Sequence, residues 1–268
     1  MKAETKSAVC TLCDDTGWKP ASDGRVVKCD CRLRQRGATI EEGARIPRRY
    51  SKCSFENFIT ELPDLTSTEH QSLHTARFRA GRFVEEYPND KMGLLFIGPT
   101  GTGKTHLGVA VIRQLMDMKG VSCLFVDYRE LLREMRQSYN PQVQATEMDV
   151  LRPVLETEVV LIDDLGSSAT QSTWERDTVG YILNKRYSDE RTTIITTYLL
   201  DRASPIAEVA PENPSPSFGR NKSLDEARAA LRDRTLGERI GDQMRARLHE
   251  MCRKVEIQAR DYRERVKS

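Results

Sequence analysis

The stretch Gly98-Pro99-Thr100-Gly101-Thr102-Gly103-Lys104-Thr105 constrains this chain more than any other, because a glycine, four residues and then Gly-Lys-Thr is the phosphate-loop pattern. Its flanks agree with it. Gly93 to Ile97 reads as a short buried strand and His106 to Leu115 as a helix, in the order strand, loop, helix that the pattern needs. The glycines let successive N–H groups turn inward on phosphate oxygens, and the helix presents its N-terminus to the same anion. The expected nucleotide-binding set is therefore Gly98, Pro99, Thr100, Gly101, Thr102, Gly103, Lys104, Thr105 and His106, together with Asp163 from further along the chain. Lys104 would reach the β and γ phosphates of ATP, and Thr105 would offer its hydroxyl to the magnesium ion that bridges them.

Glu158 to Gly166 supplies the second half of such a site, an apolar strand that ends in Asp163 and Asp164. Adjacent carboxylates at the end of a buried strand are costly without a cation, so Asp163 is expected to hold magnesium through water and Asp164 to orient or deprotonate the attacking water. Strand and helix patterns alternate around these motifs. Helices are expected over Thr66 to Tyr87, Asp127 to Tyr139 and Ser172 to Arg191, and further strands over Val121 to Val126, Arg191 to Thr197 and Lys254 to Ile257. That order predicts an α/β fold with a parallel five-stranded sheet between helices and ligands at the strands' carboxyl ends. The second helix carries Arg129, Arg133 and Arg136 at spacings of four and three, which suits either a nucleic-acid-facing stripe or a solvated face. Ala203 to Asn221, with four prolines, reads as a flexible loop.

The N-terminal part has a different character. Four of the seven cysteines form Cys10-x-x-Cys13 and Cys29-x-Cys31, fifteen residues apart. In a cytosolic chain two such pairs favour a closed, structural tetrahedral zinc site over a disulfide framework, with redox-active thiols as the alternative. Cys123 and Cys252, by contrast, read as small buried apolar residues. A basic, glycine-broken linker follows, so the expected division is a zinc module with linker over residues 1–52 and a nucleotide-binding domain over 53–268. The total charge of +2 conceals +5 over residues 1–52, −8 over 53–219 and +5 over 220–268. Basic ends suit nucleic acid or an acidic protein surface, and equally suit arginine-rich solvated helices. Met1 to Ser7 is polar, and no run approaches membrane-spanning length, which predicts a cytoplasmic protein with no membrane partner.

Together, Gly98 to His106, Leu161 to Gly166, Ile194 to Thr197, Leu248 to Cys252 and Asp261-Tyr262-Arg263 resemble the DnaC/DnaI-type helicase loaders and the related IstB-like ATPases of the AAA+ class. The cysteine-bearing N-terminus resembles the zinc-binding, helicase-contacting domain of the DnaI-type loaders. The resemblance implies an AAA+ ATPase that assembles with copies of itself when ATP is bound. Its partners would be a replicative DNA helicase and single-stranded DNA. After the strand expected at Lys254 to Ile257, too little sequence remains for the helical lid that many AAA+ proteins carry, so no C-terminal lid is expected. The resemblance also assigns roles where this sequence departs from the pattern. Tyr198 stands where the family has a sensor asparagine that positions the attacking water, so either Thr197 substitutes for it or hydrolysis is slow. The arginine finger that acts on a neighbouring subunit's nucleotide is either Arg239 or Arg247. Alternative readings are an IstB-like transposition helper, a zinc adaptor that uses nucleotide as a switch, and a small-molecule kinase, for which no substrate lid is apparent.

Overall fold

In the computed structural model the described residues are 10–14, 16–20, 25–29, 41–61, 64–140, 142, 145–168, 172–201 and 235–265. Strands β1 (Trp18–Pro20) and β2 (Val26–Lys28) form a small antiparallel pair near the N-terminus. The main body then runs α1 (Ser67–Glu86), β3 (Gly93–Ile97), α2 (Lys104–Lys119), β4 (Cys123–Asp127), α3 (Tyr128–Ser138) and α4 (Glu147–Glu156). It continues with β5 (Val159–Asp163), α5 (Thr173–Ser188), β6 (Thr192–Thr197), α6 (Leu236–Ile240), α7 (Asp242–Met251), β7 (Cys252–Glu256) and α8 (Tyr262–Arg265).

Five parallel strands stand in the order β4-β5-β6-β3-β7, as the alternation of strands and helices requires. Alternate side chains of each strand serve opposite layers. Leu94, Phe96, Phe125 and Leu161 pack under α1 and α2, whereas Leu95, Ile97, Val126 and Ile162 pack against α3, α4, α5 and α7. With both faces covered, β3, β5 and β6 are buried along their whole length, which is why they read as unbroken apolar or Thr/Ile runs.

Thr66, an expected helix start, closes a capping box with Glu69 at the start of α1, and α2 runs past the expected Leu115 to Lys119, where Gly120 ends it in the left-handed conformation. Asp127 ends β4 and caps α3, accepting from the N–H groups of Arg129 and Glu130 at 3.0 Å each. Helix α5 stops at Ser188, three residues short of Arg191, because the chain turns back through Glu190 at φ 50° to enter β6. Helix α4, opened by a Thr146–Asp149 capping box, has no counterpart among the elements read from sequence. The loop expected over 203–221 lies outside the described residues.

One boundary moves. Residues 41–52, expected as linker, lie on the nucleotide-binding body: Ala44 is fully buried, and its carbonyl accepts from Phe125 N–H at 2.7 Å. Strand β4 is a sheet edge with backbone groups to satisfy, and the passing segment meets that need. Arg113 fixes the same segment by donating to Glu41 at 2.8 Å and to the Cys53 carbonyl at 2.9 Å.

Candidate nucleotide site

An open cleft of about 790 Å³ lies at the carboxyl ends of the strands. Its floor is the loop between β3 and α2. Gly101 and Gly103 have φ of 79° and 89°, where a side chain is strained. A Cβ on Gly103 would also meet the Phe58 ring at 2.6 Å, so this position tolerates only glycine. Lys104 is nearly buried, and its Nζ donates to the Gly98 and Pro99 carbonyls at 2.8 and 2.7 Å. Burial pulls its pKa down to about 8, against the opposing pull of the Asp164 and Asp163 carboxylates.

Thr105 donates to Asp163 Oδ1 at 2.8 Å, and Thr196 donates to the same oxygen at 2.6 Å. Asp163 is 4 % exposed, and burial raises its pKa despite those two bonds, with the Asp164 and Asp127 carboxylates pushing the same way. Three carboxylates line one cleft, Asp127, Asp163 and Asp164. A hydroxyl and a buried carboxylate in contact beside two further carboxylates make a donor set of hard oxygens that suits magnesium. Asp164 takes φ 59°, its N–H donates to Thr196 Oγ1 at 2.9 Å, and its carboxylate lies 3.5 Å from the Arg129 guanidinium.

Thr197 is not at the cleft. Its hydroxyl donates to the Leu165 carbonyl at 2.9 Å and accepts from Leu199 N–H at 3.1 Å, on the far side of β6. Thr196 and Tyr198 line the cleft instead. Parallel pairing of Ile162 with Ile195 sets Thr196 beside Asp163, and the two-residue period then turns Thr197 away. The sequence carries both threonines, and only the register chooses between them.

Further positions come from the expected linker, from residues just after it, and from the C-terminal family markers. Asn57, Phe58, Ile59, Leu65 and Leu73 give one end of the cleft a largely apolar wall that suits a base. His106 belongs to this end, its Nε2 2.9 Å from the Ser54 carbonyl and its ring edge-on to Phe58 at 5.5 Å. Arg49 stacks over Tyr50 at 4.5 Å, and both line the cleft. At the C-terminal end Tyr262 N–H donates to the Gly101 carbonyl at 3.0 Å, and Arg263 reaches the cleft while paired with Asp261 at 2.9 Å.

Arg239 and Arg247 do not line the cleft. Arg239 donates to the Ser168 carbonyl at 2.9 Å; Arg247 bonds to Asn184 and stacks over Tyr187 at 4.7 Å. The stripe on α3 is divided as well: Arg129 belongs to the cleft, Arg133 pairs with Glu130, and Arg136 pairs with buried Glu175 while lying 5.1 Å over Trp174.

At the N-terminus the Sγ atoms of Cys10, Cys13 and Cys29 all lie within 4.8 Å of one another, with Cys10 and Cys29 at 3.8 Å. A tetrahedral zinc with Zn–S bonds of about 2.3 Å sets its sulfurs about 3.8 Å apart, so the trio fits such an ion. Cys31, the expected fourth ligand, lies outside the described residues. Cys123 and Cys252 are buried, and burial pushes the Cys252 thiol up to about 12, as inert core residues require.

A phosphate loop on one strand, an acidic pair on another and a polar strand tip between them define a nucleotide-binding core of the AAA+ class. The model of the IstB-like ATP binding protein family matches residues 56–202, more than half of the chain, and the chain belongs to that family. Among curated proteins it is 29% identical over 144 residues to the replicative helicase loader DnaC of Buchnera aphidicola from Schizaphis graminum, a match covering 54% of each chain. It thus spans about half the length of that relative. Among solved structures it is similar to the DnaC helicase loader, with a TM-score of 0.57 and 25% identity over 79% of this chain and 99% of that one. It shares its fold with DnaI, with a TM-score of 0.53 and 23% identity over 81% and 94%.

Proposed function

We propose that this chain is a magnesium-dependent ATPase that loads a replicative DNA helicase onto single-stranded DNA. The observation that carries this is the match to the DnaC helicase loader over 99% of that chain, joined to Thr100 to His106 of the phosphate loop and Asp163 and Asp164 in one cleft. Thr105 and Asp163 would hold magnesium, which would neutralise phosphate charge there. Lys104 leaves the Gly98 and Pro99 carbonyls for the phosphates. Asp164 accepts the proton of the attacking water, and Arg129 beside it sets its orientation. Thr196 holds Asp163 in place and lines the cleft where the sensor residue was expected at Thr197.

The partners follow from the chain's remaining features. Cys10, Cys13 and Cys29, with Cys31 as the fourth ligand, hold a structural zinc in a module that contacts the helicase. Leu12, Trp18 and Val26 are exposed there and provide an apolar surface for that contact. Single-stranded DNA meets Arg133 and Arg136, with Tyr139 and Trp174 as neighbouring aromatic surfaces. Arg247 on α7 is the finger donated to an adjacent subunit in an ATP-dependent assembly. Among the described residues no helix is long and apolar enough to cross a membrane.

The test combines a nucleotide titration with a pull-down. Lys104→Ala should abolish tight ATP binding, and Asp163→Asn should lower hydrolysis far more than binding. Wild-type protein with ATP should retain a hexameric replicative helicase. Equal ATP affinity in wild type and Lys104→Ala would remove the ATPase assignment; normal ATP binding without helicase retention would remove the loader assignment and leave the ATPase.

A further inference from the structure

The loop that carries Asp164 leaves the sheet in an unusual backbone. Asp164 has φ 59° and Gly166 φ 81°, two left-handed residues within three positions. Such a path persists only where its surroundings over-determine it. Two side chains grip its far end at Ser168: the Ser168 hydroxyl donates to Glu175 Oε1 at 3.0 Å, and the Ser168 carbonyl accepts from Arg239 Nη1 at 2.9 Å. Glu175 is 4 % exposed and also receives Arg136 at 2.5 Å. The grip therefore comes from α5 on one side and α6 on the other.

Arg239 is committed inward along its length. Its Cβ would lie 3.6 Å from a Cβ built on Gly166, and its Nε is buried with no hydrogen-bond partner. Its charge also reaches Tyr128 at the base of α3. The helix it stands on is itself anchored, with Leu236 N–H donating to the Leu200 carbonyl at 2.8 Å and Arg176 donating to the Glu238 carbonyl at 3.1 Å. A finger has to leave its own subunit and meet a neighbour's phosphate. Turning Arg239 outward would break the Ser168 bond and release the loop that positions Asp164.

We propose that Arg239 is a positioning residue acting within its own subunit, holding the Asp164 loop through the Ser168 carbonyl, and that it is not the finger donated to a neighbour's nucleotide. This rests on the ATPase reading given above. A clamp on the catalytic loop sets the alignment of Asp164 with its water and leaves the phosphate contacts alone. Loss of Arg239 therefore lowers turnover without lowering affinity.

The experiment uses the full chain with Arg239→Ala and Arg239→Lys, a fluorescent ATP analogue for affinity, and steady-state hydrolysis. Expected is affinity within about twofold of wild type and kcat reduced at least about tenfold in Arg239→Ala, with Arg239→Lys between the two. Mixed assemblies then separate the two roles. Arg239→Ala supplied with Lys104→Ala, which retains Arg239 but lacks a working phosphate loop, should show no recovery. Turnover of that mixture above the sum of its parts would overturn the proposal, because only a residue acting on a neighbour can be supplied in trans. Unchanged kcat in Arg239→Ala would overturn it as well. If wild type itself fails to hydrolyse ATP, the ATPase reading falls, and amide exchange over residues 164–168 still tests the clamp. Faster exchange in Arg239→Ala supports it, and equal exchange removes it.

Discussion

Lys104 shows how much of this site is set by the environment of single residues. An ammonium surrounded by protein loses hydration, which is why its pKa falls to about 8 although three carboxylates stand near it. Phosphates arriving beside it favour the charged form and raise that value. The sign follows directly: above pH 8 the free site is increasingly neutral and the occupied site still charged, so binding takes up a proton and affinity falls as pH rises through about 8. Calorimetry at pH 8.5 in buffers of different ionisation enthalpy should show proton uptake on ATP binding, and the same titration at pH 6.5 should show none from this group. Thr196 carries the other residue-scale lesson. Its hydroxyl ties Asp163 to Asp164 by accepting from one backbone and donating to the other's carboxylate, a role invisible in the string Thr-Thr-Tyr.

At the scale of elements, the junction of α5, α4 and β6 depends on Arg186. It is fully buried and donates to the Val154, Thr157 and Thr192 carbonyls at 2.8, 2.8 and 2.6 Å and to Thr193 Oγ1 at 3.0 Å. Burial pulls its pKa down to about 9, still well above neutrality, so the guanidinium stays charged while serving the carbonyl ends of α4 and the turn before β5. A hydrophobic replacement of the same size would remove all of these hydrogen bonds at once from a buried site. Arg186→Met should cost at least about 3 kcal/mol, given about 1–3 kcal/mol for each buried group left unsatisfied. At a few degrees of melting temperature per kcal/mol for a chain of this size, thermal unfolding should move down by about 10 °C. In the sequence Lys185-Arg186 looks like ordinary cations at a helix C-terminus, and nothing in its spacing marks one of them as buried. Asp201 is a smaller version of the same device at the end of β6, where Arg245, His249 and Lys254 converge on one carboxylate and outweigh its burial to bring its pKa to about 2.

At the scale of the whole molecule, part of the segment before residue 53 packs with the nucleotide-binding body: Ala44 and Tyr50 lie on its core, and Arg49 and Tyr50 line the cleft. Two truncations should therefore differ. Removing residues 1–40 should eliminate zinc and helicase retention and leave ATP affinity near wild type. Removing residues 1–52 should also strip the β4 edge and weaken ATP binding. Metal analysis of purified wild type should give one zinc per chain, lost in Cys29→Ser. Zinc persisting in that variant, or identical ATP affinity in the two truncations, would contradict this division.

What the sequence determined by itself was chemistry bound to local order. The phosphate loop needs only eight consecutive residues between a strand and a helix, and the acidic pair needs only the end of one strand. The spacing of Cys10 and Cys13 keeps them together near Cys29, and caps such as Thr66 and Asp127 mark their helices because a cap acts within one turn. Tertiary structure decided everything that depends on which segments become neighbours. Strand register turned Thr196 toward the cleft and Thr197 away from it, and the open edge of β4 drew residues 41–52 onto the core. Contact across the fold made Arg186 a buried support and turned Arg239 toward Ser168. A side chain's type limits the bonds it can form, but its partner is fixed only when distant parts of the chain pack, and no local pattern records that meeting.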